Sequence, residues 1–296
     1  MKIFPSTKVP ILFLGTALAF VSLVGCKKKA ETTEGASTGA KVEAKSITIK
    51  GSDTMVTLGQ RWAEVYMQKF PEAIIQVTGG GTGTGISALI NGTTDICQAS
   101  RKMKEKEQKM MADKHGAAAV EIEVARDGLA IYVNNANKIE EISFAQLKDI
   151  FRGKVTNWKD LGGADLPIVI YSRENSSGTY EFFKEMVLGG EDFAATAQMM
   201  PGTAAVVNAV SKETNGIGYG GAAYGSGIKA LKIKADPGGV AIAPTEATVK
   251  NGTYPLARPL QIYLQKAPEG GLKSFIDWIK GPEGQKLVIE VGYYPI

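Results

Sequence analysis

Short apolar runs alternate with helical apolar stripes along residues 47–296. Runs such as 74–78 and 95–99 are typical of buried strands, whereas Leu58, Trp62 and Val65 recur at a helical spacing. Because strand and helix patterns follow one another in turn, the sequence predicts an α/β fold. The run from 120 to 133 is almost continuously β-like, broken at 126–128, and is long enough to carry the chain from one lobe into another.

The same periodicities predict the remaining elements. Expected strands cover 46–50, 168–171, 217–219 and 254–264, and expected helices cover 57–70, 86–90, 104–114, 142–151, 180–187, 203–210, 272–279 and 283–291.

Three turns between a predicted strand and a predicted helix are rich in glycine and hydroxyl side chains: 51–55, 79–85 and 172–179. A helix start offers unpaired N–H groups and a partial positive charge. In the third turn Arg173 adds a fork of N–H donors that matches an oxyanion. We interpret this turn as half of a closed cradle for a small tetrahedral anion. The alternative is an ordinary capped turn, in which Ser or Thr satisfies the N–H groups of the helix start.

The sequence does not favour an enzyme. The glycine-rich turn lacks the Gly-Lys-Ser/Thr ending of a phosphate-binding P-loop, and it lacks the context of a dinucleotide fingerprint. No base accompanies Ser177, and no His, Asp or Glu cluster has metal-ligand spacing. The single histidine, His115, ends a lysine-rich helix, where a cation suits the helix dipole. We therefore expect no catalytic residues, no metal and no cofactor.

The N-terminus has the pattern of an export signal. Two lysines precede an apolar run from Val9 to Val24, and Cys26 follows Leu-Val-Gly. This junction resembles the lipobox of bacterial lipoproteins, which implies cleavage before Cys26 and lipid attachment to its sulfur. Residues 1–25 are thus the expected signal peptide, although a simple membrane anchor is the alternative. Residues 26–46 lack large apolar side chains and are the expected flexible tether.

The net charge of +4 lies entirely in the first 46 residues, which hold seven lysines and three glutamates. The remaining chain is near neutral, so it has no basic field for nucleic acid. Of the two cysteines, Cys97 lies in an apolar run and is expected to be a buried small hydrophobic residue.

Taken together, several segments resemble the phosphate-binding proteins of phosphate ABC importers. They are Gly51-Ser-Asp-Thr-Met, Gly81-Thr-Gly-Thr-Gly, Ala99-Ser-Arg, Asn157-Trp158, Ser172-Arg-Glu-Asn-Ser-Ser-Gly-Thr and Tyr254-Pro-Leu-Ala-Arg-Pro-Leu. The resemblance implies a two-lobed type II periplasmic-binding-protein fold with the ligand in the interlobe cleft. It divides the chain into lobe I, residues 47–128 plus 241–296, and lobe II, residues 129–240.

The resemblance also implies a function and a set of ligand-binding residues. The expected protein is a lipoprotein of the periplasm or the outer cell surface that delivers inorganic phosphate to ABC permease subunits. It is expected to be a monomer. The candidate ligand-binding residues are Ser52, Thr54, Met55, Thr82, Ser100, Arg101, Asp127, Arg173, Ser177, Gly178 and Thr179. Within this set Thr54, the Met55 backbone and Thr82 are the implied donors from the first lobe. In the second lobe Arg173 is the implied guanidinium, and Ser177, Gly178 and Thr179 are the implied helix-start donors.

One position departs from the family pattern. High-affinity members place an Asp after the Ala-Ser pair, where it accepts the ligand's own proton and so rejects sulfate, but this chain has Arg101. We expect Asp127 to substitute, with Asp53 and Glu174 as weaker candidates; pairing of Asp127 with Arg126 is the alternative. Sulfate, molybdate or tungstate therefore remain alternative ligands, and a surface adhesin or sensor remains an alternative function.

Overall fold

The computed structural model describes residues 46–296. The expected signal peptide, Cys26 and all of the tether except Ser46 lie outside the described residues. Within the described part of the chain, no helix has both the length and the apolar composition needed to cross a membrane.

The first part of the chain builds a parallel sheet with helices. Its elements are β1 (Ile47–Gly51), α1 (Val56–Lys69), β2 (Ile75–Thr78), α2 (Thr82–Asn91), β3 (Ile96–Ala99) and α3 (Glu105–His115). Strand β1 lies in the centre and pairs in parallel with β2 and β3. Because these strands are parallel, their carboxyl ends meet at one edge of the sheet, where ligand sites of α/β proteins are found.

The second part of the chain repeats the α/β pattern. Its elements are β4 (Val120–Val133), β5 (Glu141–Ser143), α4 (Phe144–Phe151), β6 (Val169–Arg173), α5 (Gly178–Met186), β7 (Gln198–Met200), α6 (Thr203–Lys212), β8 (Gly216–Gly221), β9 (Lys229–Lys234) and α7 (Glu246–Lys250). The chain ends with β10 (Ala257–Leu264), α8 (Gly270–Lys280) and α9 (Pro282–Val291). Strand β6 pairs in parallel with β7 and β8.

Two strands connect the lobes. The first part of β4 pairs with β10, which in turn pairs with β3, and the last part of β4 pairs with β8 and β9. The expected break at 126–128 is wrong, since β4 runs without interruption over 14 residues. Ladder pairing to β10 holds these residues extended: Asp127 faces Arg258, and Gly128 faces Ala257.

Each lobe has its own apolar core. Ile49, Leu58 and Trp62 belong to the first large core, whereas Leu129, Phe151 and Tyr219 belong to the second. The predicted boundary at 241 does not coincide with this packing, because Val249, Tyr254 and Leu256 are buried in the second core. The chain returns to the first core only along β10, where Leu260 and Ile262 are buried. The helix α7, which the apolar pattern did not predict, lies in this returning segment.

Candidate functional site

The predicted turns converge at the junction of the two lobes. Thr54 lies just after β1, Thr82 begins α2 after β2, and Ser100 directly follows β3. From the second lobe, Arg173 ends β6 and Thr179 lies in the first turn of α5. All five side chains are at most 1% exposed. Their burial together indicates one polar cluster enclosed by the protein rather than separate surface turns.

Hydroxyl groups are the main members of this cluster. The Oγ1 atoms of Thr54 and Thr179 are 2.8 Å apart, which joins the two lobes directly. The Ser52 hydroxyl donates to Ser100 Oγ at 2.8 Å, and Thr82 Oγ1 accepts from the Ser100 N–H at 3.2 Å. Each hydroxyl can donate and accept, so the same set can rotate its hydrogens toward an oxyanion.

Glycines let the two helix starts approach each other. A Cβ added to Gly178 would lie 2.4 Å from Thr82 Oγ1 and 2.8 Å from Ser100 Oγ. Gly81 has a φ of 91°, and a Cβ there would lie 2.5 Å from the Ser176 carbonyl oxygen. Across the same gap, Gly83 N–H donates to that oxygen at 2.9 Å. The glycine-rich turn is therefore required for contact with the opposite lobe, not only for its own bend.

Both helices start earlier than the apolar stripes predict. Helix α2 begins at Thr82 rather than near 86, and α5 begins at Gly178 rather than at 180. The glycine and hydroxyl residues are therefore the first turns themselves, where N–H groups have no partner within the helix. Ser177 caps α5 by accepting from Tyr180 N–H at 3.3 Å. This cap agrees with the ordinary capped-turn alternative for Ser177, while Gly178 and Thr179 stay in the cluster.

Arg173 brings a buried cation to the cluster. Its Nη1 donates to Thr203 Oγ1 and its Nη2 to Asp53 Oδ2, each at 2.9 Å. Its Nε is buried and has no hydrogen-bond partner among the described residues. Burial lowers the pKa of Arg173, an effect that the Asp53 carboxylate opposes, but a guanidinium remains protonated. An unpaired buried donor of this kind is costly, so it points to a ligand.

A second buried arginine, Arg258, contacts the cluster at Ser100. Arg258 donates from Nε and Nη2 to Asp127 Oδ2 at 3.0 and 2.7 Å, and from Nη1 to the Ser100 carbonyl oxygen at 3.1 Å. Asp127 Oδ1 also accepts from the Ala222 N–H at 3.1 Å. Arg258 lies in the 254–260 segment that resembles the family, but the sequence did not predict it as a site residue. A basic residue between apolar positions of a predicted strand was the available signal.

Several predicted site residues have other partners. Arg101 points to α3, where it forms a double hydrogen bond with Glu107 at 2.8 Å, and it is not brought to the cluster. Met55 is buried in the first core and its N–H donates to the Ser52 carbonyl oxygen at 3.0 Å. Asp127 pairs with Arg258, not with Arg126, whose partner is Glu123.

The weaker acceptor candidates differ in position. Glu174 is exposed, whereas Asp53 contacts Arg173 and also accepts from the Gly80 N–H at 3.1 Å.

His115 lies away from these groups, with its Nε2 2.8 Å from the Ile90 carbonyl oxygen. Within residues 46–296 no group of three or more His, Cys, Asp or Glu side chains could hold a metal ion. The cluster therefore offers an anion hydroxyl and N–H donors and two arginine side chains, Arg173 and Arg258. The two nearby carboxylates, Asp53 and Asp127, are each paired with one of these arginines.

Comparisons with known proteins agree with this arrangement. A family model described as PBP superfamily domain matches residues 31–283. The phosphate-binding protein PstS of Pseudomonas aeruginosa is 35% identical over 263 residues, covering 83% of this chain and 81% of that protein. The protein of the same name from Staphylococcus epidermidis is 36% identical over 249 residues, covering 80% and 74%. The chain belongs to the phosphate-binding protein family.

Solved structures in this family have the same two-lobed fold. A chain from Clostridium perfringens, assigned as a phosphate ABC transporter substrate-binding protein with bound phosphate, superposes with a TM-score of 0.77 at 32% identity, covering 85% of this chain and 99% of that one. An ABC-type phosphate transport receptor from Vibrio cholerae gives a TM-score of 0.68 at 32% identity, covering 84% and 100%. The type II periplasmic-binding-protein fold expected from the sequence is thus confirmed.

Proposed function

We propose that this protein captures inorganic phosphate outside the cytoplasm and delivers it to an ABC importer. The observation that carries the proposal is the buried Nε of Arg173, which has no hydrogen-bond partner within residues 46–296 and lies beside two helix starts and a hydroxyl cluster. A desolvated anion needs many charge-assisted donors, and backbone and hydroxyl donors supply them without mobile counterions. Membership of the phosphate-binding protein family supports this choice over other anions.

The proposed binders are members of the buried polar cluster. Thr54, Thr82, Ser100 and Thr179 supply hydroxyls, the Gly178 and Thr179 N–H groups extend from the start of α5, and Arg173 supplies the guanidinium. Ser52 acts through its hydrogen bond to Ser100. A dissociation constant near 1 μM corresponds to about 8 kcal/mol, which a set of this size can supply after desolvation costs.

The proposal describes a binding protein without turnover. Near the cluster, Asp53 and Asp127 are bound to arginines, and the Ser177 hydroxyl is used as a helix cap. Activation of a serine nucleophile requires a base within hydrogen-bond reach of its hydroxyl. We accordingly propose a monomeric receptor whose partners are phosphate and permease subunits.

Isothermal titration against phosphate, arsenate and sulfate tests the ligand. We expect phosphate and arsenate to bind at micromolar concentration and raise the melting temperature, and sulfate to bind far more weakly. Arg173→Ala should abolish phosphate binding, whereas Arg126→Ala, which removes an exposed guanidinium from the crossing strand, should keep it. Absence of any response to millimolar phosphate would overturn the proposal, and equal binding of sulfate would replace phosphate with a broader oxyanion ligand.

The lipid anchor is a separate part of the proposal. Cys26 follows an apolar export segment and Leu-Val-Gly, and three lysines follow it. In cells labelled with a clickable palmitate, wild-type protein should carry label and sediment with membranes. Cys26→Ser should lose both properties. Label on the variant equal to that on the wild type would contradict lipidation at this cysteine.

A further inference from the structure

Tyrosine hydroxyls hold both peptide groups that flank Thr54. Tyr224 donates to the carbonyl oxygen of Asp53 at 3.0 Å, and Tyr293 donates to the carbonyl oxygen of Thr54 at 2.5 Å. These are the peptide groups immediately before and after the Thr54 Cα atom. Between them they fix the two backbone torsions of a residue whose hydroxyl contacts Thr179 across the lobes.

The two tyrosines come from different parts of the chain. Tyr224 ends the short 3-10 turn that follows β8, whereas Tyr293 follows α9 and is buried in the first core. Their backbones meet at Gly292, which has a φ of 99° and whose added Cβ would lie 3.2 Å from the Ala223 Cα. The C-terminal segment therefore lies against the turn that carries Tyr224, so both hydroxyls reach the same loop.

The direction of these bonds determines where Thr54 can donate. A trans peptide places its C=O and N–H on opposite sides, so anchoring the Asp53 carbonyl directs the Thr54 N–H the other way. The N–H of Met55, in the following peptide, is already used by Ser52. The two anchored peptides thus set the direction of the Thr54 N–H and of the Cα–Cβ bond that carries its hydroxyl.

Both tyrosines remain neutral donors at physiological pH. Burial raises the pKa of Tyr224, with the hydrogen bond to Thr57 opposing that shift, and burial raises the pKa of Tyr293 well above its usual value. Phenylalanine at either position would remove one donor. The Asp53 carbonyl would keep the Val56 N–H but lose the Tyr224 hydroxyl, and the Thr54 carbonyl would lose the Tyr293 hydroxyl. The orientation of the two peptide groups that flank Thr54 therefore depends in part on the two tyrosine oxygens.

We propose that Tyr224 and Tyr293 are positioning residues that hold the Thr54 N–H and hydroxyl toward the bound anion. This inference rests on the proposed function, because it assigns the orientation of one ligand-binding residue of that site. Neither tyrosine contacts the anion; each acts through Thr54. A purely structural role for the same hydroxyls would lower the melting temperature without changing affinity in the folded protein.

The chain offers a matched control in Tyr254. This tyrosine is 1% exposed, and its hydroxyl donates to the Leu129 carbonyl oxygen at 2.7 Å inside the second core. Tyr254→Phe removes the same atom from the same kind of buried bond, but away from Thr54. Its effect on stability measures what the loss of one such hydroxyl costs the fold alone.

The test compares Tyr224→Phe, Tyr293→Phe and Tyr254→Phe by phosphate titration, thermal unfolding and ¹⁵N–¹H spectra. We expect each of the first two to weaken phosphate binding about 5- to 20-fold, the size of one lost hydrogen bond, and Tyr254→Phe to bind as wild type. The Thr54 amide should shift on phosphate addition in the wild type and in Tyr254→Phe. That shift should be reduced in Tyr224→Phe and Tyr293→Phe.

The outcomes separate this inference from the function on which it rests. If wild type binds phosphate but Tyr224→Phe and Tyr293→Phe match Tyr254→Phe in affinity and in the Thr54 shift, the positioning role is wrong and the proposed function stands. If wild type does not bind phosphate, both are wrong. Should Tyr293→Phe unfold because this residue is in the core, the half-buried Tyr224 decides, since wild-type affinity of Tyr224→Phe then overturns the inference.

Discussion

Arg258 and Asp127 face each other on the two strands that connect the lobes. The register of β10 and β4 pairs these residues directly, and two guanidinium nitrogens donate to one carboxylate oxygen. The pair also reaches both lobes, because Arg258 donates to Ser100 and Asp127 accepts from Ala222. The ion pair therefore links Ser100 of the hydroxyl cluster and Ala222 of the second lobe to the two crossing strands.

Removal of one partner of this pair should be strongly destabilising. The side chains of Arg258 and Asp127 are 1% and 0% exposed, so either single substitution leaves a buried charge without its partner. We expect Arg258→Met to cost about 3–5 kcal/mol of the free energy of unfolding. The double variant Asp127→Leu/Arg258→Met should recover a large part of that loss. Urea denaturation measures both.

The exposed pair of Arg126 and Glu123 on the same strand is the control. Its side chains are 40% and 39% exposed, so Glu123→Gln should change the free energy of unfolding by no more than about 1 kcal/mol. Equal costs for Glu123→Gln and Arg258→Met would show that burial of the Asp127 pair does not determine its contribution.

The sequence predicted the site segments better than the partners within them. Thr54, Thr82, Arg173 and Thr179 meet as expected, because parallel strand ends and helix starts are recognisable from local pattern. The partner of Arg101, Glu107, is six residues away in the first turn of α3 and was missed because Arg101 was assigned to the ligand. The partner of Asp127, Arg258, lies 131 residues away. Pairings over such separations depend on strand order and register, which one sequence does not encode in local periodicity.

Cys97 should be chemically inert in the native protein. It is fully buried in a small apolar cluster, and burial raises the pKa of its thiol far above the usual value. Since the thiolate is the reactive form, Cys97 should react with Ellman's reagent only after unfolding. In full-length Cys26→Ser protein, where Cys97 is the single cysteine, the reaction should be at least about 100-fold slower in buffer than in denaturant. Rapid reaction in buffer would contradict this burial.

Glu107 should make stability depend on acid pH. Burial by itself would raise its pKa, but hydrogen bonds from Arg101 and the Lys104 N–H outweigh burial and lower it. Because the folded-state pKa is depressed below 4.5, the stabilisation is present above that pH and is lost as pH falls through the folded-state value. Glu107→Gln should cost about 1.5–3 kcal/mol at pH 7, and this difference should shrink below pH 4.5.

Glu105 is the control that separates the contribution of the Arg101–Glu107 ion pair from that of the helix dipole. It lies in the same first turn of α3 but is exposed, so Glu105→Gln removes a similar interaction with the helix dipole without breaking a buried pair. Denaturation series at several pH values should show a small, nearly constant difference for Glu105→Gln. A pH profile identical for the two variants would mean that the dipole, not Arg101, produces the dependence.

Gly178 should tolerate no side chain without loss of phosphate binding. A methyl group there would lie 2.4 Å from Thr82 Oγ1 and 2.8 Å from Ser100 Oγ, both from the opposite lobe. Because the rest of α5 is unaffected by this clash, the fold should survive while the two helix starts are forced apart. We expect Gly178→Ala to weaken phosphate binding by about 10- to 100-fold, the effect of losing one hydrogen bond to a charged ligand. Titration calorimetry measures the affinity.

Gly271 provides the matched control for that substitution. It lies at the second position of α8, and an added Cβ would meet no atom of the described part of the chain within 4 Å. Gly271→Ala should therefore leave phosphate affinity unchanged and, through the lower entropy of the unfolded chain, stabilise the protein by about 0.4–1 kcal/mol. If Gly178→Ala binds phosphate as tightly as Gly271→Ala does, the starts of α2 and α5 do not enclose the anion together, and the ligand must lie elsewhere between the lobes.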